Sequence, residues 1–140
     1  DGSIDRTLWS YNQGTMVGVN VLLARAQAEQ GADYLGRAEA IARRALRLLG
    51  QDRRARQPPA FNAIMFRNLL RLHAATEDTQ LREEILAAVR RYAEMASAGV
   101  LGGRGYRSRA LTRTSLRDES AVVQLLALLA WDPETYDRLA

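Results

Sequence analysis

The chain has 140 residues, 47% of them apolar and 26% charged, a balance that excludes disordered and fibrous proteins and fits one domain or a piece of one. With no cysteine and a single histidine, His73, it can hold neither a disulfide nor a thiolate or multi-histidine metal centre, so no metal and no other cofactor is expected. The net charge of +4 rests on 20 basic residues, every one an arginine, mostly alternating with Asp and Glu on helix faces. This reads as compositional bias rather than as a nucleic-acid surface. No apolar run reaches the roughly 20 residues that cross a bilayer, and neither nucleic acid nor membrane is an expected partner.

The chain opens Asp1-Gly2-Ser3-Ile4-Asp5, without methionine or signal peptide, as a processed product or an excised fragment is expected to begin. Ala and Leu dominate and the apolar spacing follows the 3.6-residue period, which predicts helices throughout. The first is expected from about Asn12 to Gln30, ended by Gly31-Ala32-Asp33. Asp33 is expected to cap a second helix reaching Leu49, with Leu35, Ala38, Ala42, Ala45 and Leu49 on its dry face and Arg37, Arg43, Arg44 and Arg47 on its wet one. Gly50 to Pro59 reads as a loop. A third helix is expected over Ala60 to Thr76, and a turn through Glu77-Asp78-Thr79 leads to a fourth over Gln80 to Ser97, with Leu81, Ile85, Val89, Tyr92 and Ala96 aligned. A glycine-rich loop from Ala98 to Arg117 and a fifth helix from Asp118 to Trp131 complete the chain, with Pro133 opening a terminal turn. The loop holds Arg104, Arg107, Arg109, Arg113 and Arg117 with no acid among them and lacks the strand and Gly-Lys of a phosphate loop.

The second and fourth helices are amphipathic, whereas the first, third and fifth are apolar over much of their circumference and are expected to be buried on most sides. That alternation predicts two layers, inner and outer. Tyr11-Asn12 and Phe61-Asn62, 50 positions apart, mark a weak internal repeat of hairpins, as in a solenoid or a closed α/α toroid. The aromatic and polar residues of the inner helices gather at their starts: Trp9, Tyr11, Asn12 and Gln13, then Phe61 and Asn62, then Asp118 and Glu119. Hairpins repeating in parallel would bring these to one rim, where rings cover the apolar face of a sugar and amides meet its hydroxyls. The same residues also suit ordinary helix capping and packing.

The segment Trp9-Ser10-Tyr11-Asn12-Gln13-Gly14-Thr15 resembles the W-[ST]-Y-N-Q-G-T motif of glycoside hydrolase family 76, the endo-α-1,6-mannanases and their bacterial relatives. The likeness extends through Gln57-Pro58-Pro59-Ala60-Phe61-Asn62, Phe66-Arg67-Asn68-Leu69, Val123-Gln124 and Leu129-Ala130-Trp131. It implies an all-α fold in which residues 1–140 form the C-terminal part, about two and a half hairpins, of a six-hairpin α/α toroid. It further implies α-mannan or a related oligosaccharide as ligand, an extracellular or cell-envelope setting, and a substrate cleft lined by Trp9, Tyr11, Asn12, Gln13, Phe61, Asn62 and Asp118. The family's catalytic Asp-Asp pair precedes this motif, and the chain contains no such pair. A retaining glycosidase needs two carboxyls roughly 5–5.5 Å apart. The adjacent Asp118 and Glu119, a departure from the family pattern, are expected to cap and complement a helix start, so the chain alone is expected to be inactive. Its inner helices then require a partner, either the missing N-terminal half or a second copy. The competing expectation is a non-catalytic helical module that binds carbohydrate or another protein.

Overall fold

The structure, a computed structural model, describes residues 2, 8–49, 57–101 and 116–139, without the side chains of 99–101. All regular structure among the described residues is helical: α1 (Ser10–Ala26), α2 (Gly31–Leu49), α3 (Pro59–Ala75), α4 (Thr79–Leu101) and α5 (Leu116–Leu129), with 3₁₀ turns at Ala28–Gln30 and Pro133–Arg138. The all-α expectation holds. Gly50 to Arg56 and most of the glycine-rich stretch, including Arg104, Arg107, Arg109 and Arg113, lie outside the described residues.

Several boundaries differ from the sequence reading. The first α-helix stops at Ala26, and Gly31 does not end it but opens α2 in right-handed helical conformation. Asp33 therefore lies inside the first turn of α2 rather than at its cap. Pro59 is itself the first residue of α3, where its missing N–H has no intrahelical acceptor to lose and its fixed φ suits the helix. Gly99 does not interrupt α4, which runs on to Leu101.

α3 sits at the centre, packed between α1 and α5, while α2 and α4 form a second layer behind them. The three apolar helices run parallel. Gln57 meets Ser10 at their starts, Gly14 lies on Met65, and Gly18 lies on Asn68, so α1 and α3 advance together. At the far end of α5, the Leu128 carbonyl accepts from the Tyr136 hydroxyl at 3.1 Å, and the Tyr136 ring packs edge-on against His73, near the end of α3, at 5.6 Å. The dry faces of the amphipathic helices are as read: Ala38, Ala42 and Ala45 of α2, and Leu81, Ile85, Val89, Tyr92 and Ala96 of α4, are buried.

Of the three apolar helices, only α3 is enclosed on most sides. α1 exposes Met16, Val19 and Leu22, and α5 exposes Val123 (65% accessible) and Leu126, beside Ile64 of α3. α1 and α5 have each found one helical neighbour in this layer where their composition provides for two. Scattered single apolar residues on a surface are ordinary, but these fall at helical spacing on neighbouring elements.

The turn between α3 and α4 is fixed by side chains. Asp78 caps α4 by accepting from the Leu81 amide at 2.9 Å, and the Thr76 hydroxyl accepts from the Asp78 amide at 3.2 Å. Two α2 residues fasten it: Glu39 accepts from the Thr76 hydroxyl at 2.5 Å, and Arg43 pairs with Asp78.

Two outcomes are expected. Gly14→Ala places a Cβ onto the Met65 backbone, which cannot swing away, whereas Gly18→Ala meets the movable Asn68 side-chain amide. Overpacking costs about 1–3 kcal/mol, more than the roughly 1 kcal/mol alanine gains within a helix, so urea unfolding should find Gly14→Ala the more damaging of the two. His73 is buried, and desolvation first, then the Arg82 charge, lowers its pKa. The unfolded chain therefore takes up the imidazole proton first as pH falls. Stability is complete above the ordinary histidine pKa near 6.5 and declines as pH drops below it toward the folded value. Thermal unfolding from pH 8 to 5 should show that decline, and His73→Gln should flatten it.

Candidate functional site

Trp9, Tyr11 and Phe61 are brought together where α1 and α3 begin. Trp9 stands edge-on to Phe61 at 5.6 Å, Tyr11 meets Phe61 at 4.7 Å, and the Trp9 and Tyr11 rings lie 6.5 Å apart with planes inclined by only 26°. All three are half-buried, so each keeps part of its surface open. Such geometry is worth about 0.5–1.5 kcal/mol per pair beyond the area buried.

This cluster is held by Gln57, a residue that the sequence reading placed in a motif without giving it a task. α1 starts at Ser10 with no side-chain cap of its own. Gln57 Oε1 accepts from the Ser10 amide at 2.7 Å, its Nε2 donates to the Leu8 carbonyl at 3.2 Å, and its backbone carbonyl accepts from Asn62 Nδ2 at 3.4 Å. The carboxamide thus grips the residue on either side of Trp9 while its main chain ties to the neighbour of Phe61.

The remaining candidates divide. Asn12 is exposed and hydrogen-bonds no described residue, so it is open to a ligand. Gln13 is half-buried, with its amide donating to the Trp9 carbonyl at 3.5 Å. Asn62 and Asp118 do not join the open rim: Asn62 is fully buried and Asp118 is 7% accessible. Both act on Tyr92, a residue read from sequence only as part of the α4 stripe. Burial pushes the Tyr92 phenol above its ordinary range, the neighbouring Asn62 amide opposes the rise, and the Asp118 carboxylate adds to it. Asp118 is the third residue of α5, not its cap, and adjacent Glu119 is exposed, so these two carboxyls do not face one site.

A cavity of about 630 Å³ lies elsewhere, between α2 and α4, with Phe66 and Tyr92 among its lining and Arg47, Arg91, Glu84 and Met95 around it. Among the described residues no group of three His, Asp or Glu side chains could hold a metal ion. No helix among them is long and apolar enough to cross a membrane.

No protein-family model matches the chain, and comparison with curated proteins and with solved structures returns no match.

Removing the Gln57 carboxamide should loosen the rim without dismantling the fold. In a Trp131→Phe background, where Trp9 is the sole tryptophan, Gln57→Ala is expected to shift emission to longer wavelength. Stability should fall by about 1–2 kcal/mol, the worth of two hydrogen bonds. Unchanged emission would show that Gln57 does not set the Trp9 environment.

Proposed function

We propose that this chain is the C-terminal part of a family 76-like α/α toroid whose rim contacts α-mannan or a related oligosaccharide. The observation that carries the reading is the gathering of Trp9, Tyr11 and Phe61 at the aligned starts of two parallel apolar helices, with Asn12 open beside them. Aromatic faces receive the C–H surface of a sugar and the amide meets its hydroxyls. The two-layer packing of parallel helices supports the toroidal part of the proposal. In this reading Trp9, Tyr11, Phe61 and Asn12 touch ligand, Gln13 stands beside them, Asn62 supports the rim from within by donating to the Gln57 carbonyl, and Asp118 is buried away from the ligand.

The nucleophile and the acid/base are assigned to the N-terminal part of the toroid. The uncovered apolar residues of α1, α3 and α5 are the surface that would meet that part or a second copy. The runner-up, a stand-alone carbohydrate-binding module, is favoured by one observation: all three rings of the platform belong to this one chain.

Native mass spectrometry should find the chain assembled with a second polypeptide or a second copy, and the pure chain should release no mannose oligosaccharide from α-1,6-mannan. Adding Trp9→Ala to any mannan-binding assembly is expected to weaken binding about tenfold, as read by calorimetry, given 1–3 kcal/mol lost with a stacking ring. A stable monomer that binds mannan unaided would replace the partial toroid with the stand-alone module. Binding unaffected by Trp9→Ala would remove the rim from both readings.

A further inference from the structure

The cavity between α2 and α4 is a second feature, independent of the sugar-rim reading. The two helices are joined where Glu39 and Arg43 fasten Thr76 and Asp78. Beyond that joint, α4 turns Glu84, Ala87, Ala88, Arg91 and Met95 toward the cavity, at the spacing of a single helical face. The two alanines are short, and the space left between the helices measures about 630 Å³, within the roughly 300–1,000 Å³ of small-molecule sites. It is elongated: from Glu84 to Met95 the lining follows α4 for about 16 Å, at 1.5 Å per residue.

Its interior is apolar and its margin is charged. The Phe66 and Tyr92 rings, buried and 5.0 Å apart, form the floor, and Leu46 and Leu49 line it from the α2 side. Met95 is 46% accessible, an adaptable unbranched side chain at the margin. Arg47 stands on the α2 side and Arg91 on the α4 side, both exposed. The other two charges are already engaged: Arg43 pairs with Asp78, and Glu84 accepts from Gln80 Nε2 at 2.9 Å. An apolar body with one anionic end suits both parts of this site. The body exchanges water for leucine, alanine and ring surface, while the end takes charge-assisted hydrogen bonds from a guanidinium on either side. The planar guanidinium fork matches the two oxygens of a carboxylate, and the elongated space matches a chain.

We propose that this cavity binds an amphipathic monocarboxylate with an alkyl chain of medium length. The chain lies over Phe66 and Tyr92, and the carboxylate is held between Arg47 and Arg91. Glu84 repels the carboxylate from its own end of the cavity and so sets the direction in which the chain lies.

The test uses the full 140-residue chain with decanoate, kept below its micelle-forming concentration, and with decanol and decyltrimethylammonium as uncharged and cationic counterparts. Calorimetry should find decanoate bound with a negative heat-capacity change, the mark of apolar burial, and about tenfold more tightly than either counterpart. Arg47→Gln and Arg91→Gln, exposed positions whose folding circular dichroism can verify, should each weaken decanoate about tenfold, the scale of one charged hydrogen bond, and leave decanol unchanged. Ala87→Leu, at another exposed position, narrows the cavity and should weaken decanoate and decanol alike. No binding of decanoate, an affinity no greater than that of decanol, preference for the decyl cation, or decanoate affinity unchanged in all of these variants overturns the proposal.

Discussion

Everything else in this molecule depends on how closely α1 can approach α3. Gly14 lies against the main chain of Met65, a spacing that any Cβ would forbid. This contact sets the register between the helices and determines which residues share each end. Because the helices are parallel and their starts are level, the aromatic residues before one helix reach those at the start of the next. A slip of one turn would carry Phe61 about 5.4 Å away from Trp9 and Tyr11. Such a slip would also separate Gln57 from the Ser10 amide it serves.

Main-chain groups at the helix ends are satisfied by side chains from other segments, and this couples local structure to tertiary packing. α1 lacks a local cap and borrows one from Gln57, 47 residues away. α4 has a local cap in Asp78, but α2 holds that cap through Arg43. The first arrangement makes the start of α1 contingent on the chain that leads into α3. The second makes the α3–α4 turn contingent on α2. The charge on Arg43 is thus part of the joint between hairpins, although its helical position alone places it on the wet face.

What the sequence made legible was whatever obeys a period. The stripes of α2 and α4 could be read because alanine, leucine, isoleucine and valine recur at 3.6-residue spacing, and those residues are buried. Glycine misled at Gly31 and Gly99, since its low helix propensity of about 1 kcal/mol is easily overridden by packing and neighbouring turns. Nor could spacing reveal that Asn62 and Asp118 turn inward, because the residue they act on, Tyr92, belongs to another helix and looks like one more apolar position. Arg71 was hidden for a similar reason. Its burial is completed by Leu139, a residue 68 positions further along.

The two ends of α3 therefore differ in chemistry while sharing one rigid element. Its start presents uncharged rings and amides; its end presents guanidiniums, of which Arg71 is buried on the Leu139 carbonyl and Asn68. Asn62 and Arg71 are nine residues apart on one helix, roughly 13 Å at 1.5 Å per residue. Between these ends lies the uncovered apolar surface of α1, α3 and α5, with Ile64 on the helical face that continues through Arg67 and Asn68 to Arg71. Covering that surface would withdraw solvent from the arginines as well. Screening would fall and the energetic demand for a counter-charge would rise. Assembly over the apolar surface and the setting of the buried Arg71 guanidinium are thus not separate matters. Any partner that buries Met16, Val19, Leu22 and Ile64 would deepen the burial of Arg71 as well, and the Leu139 carbonyl and Asn68 Oδ1 that already receive its donors would then hold it in a drier setting.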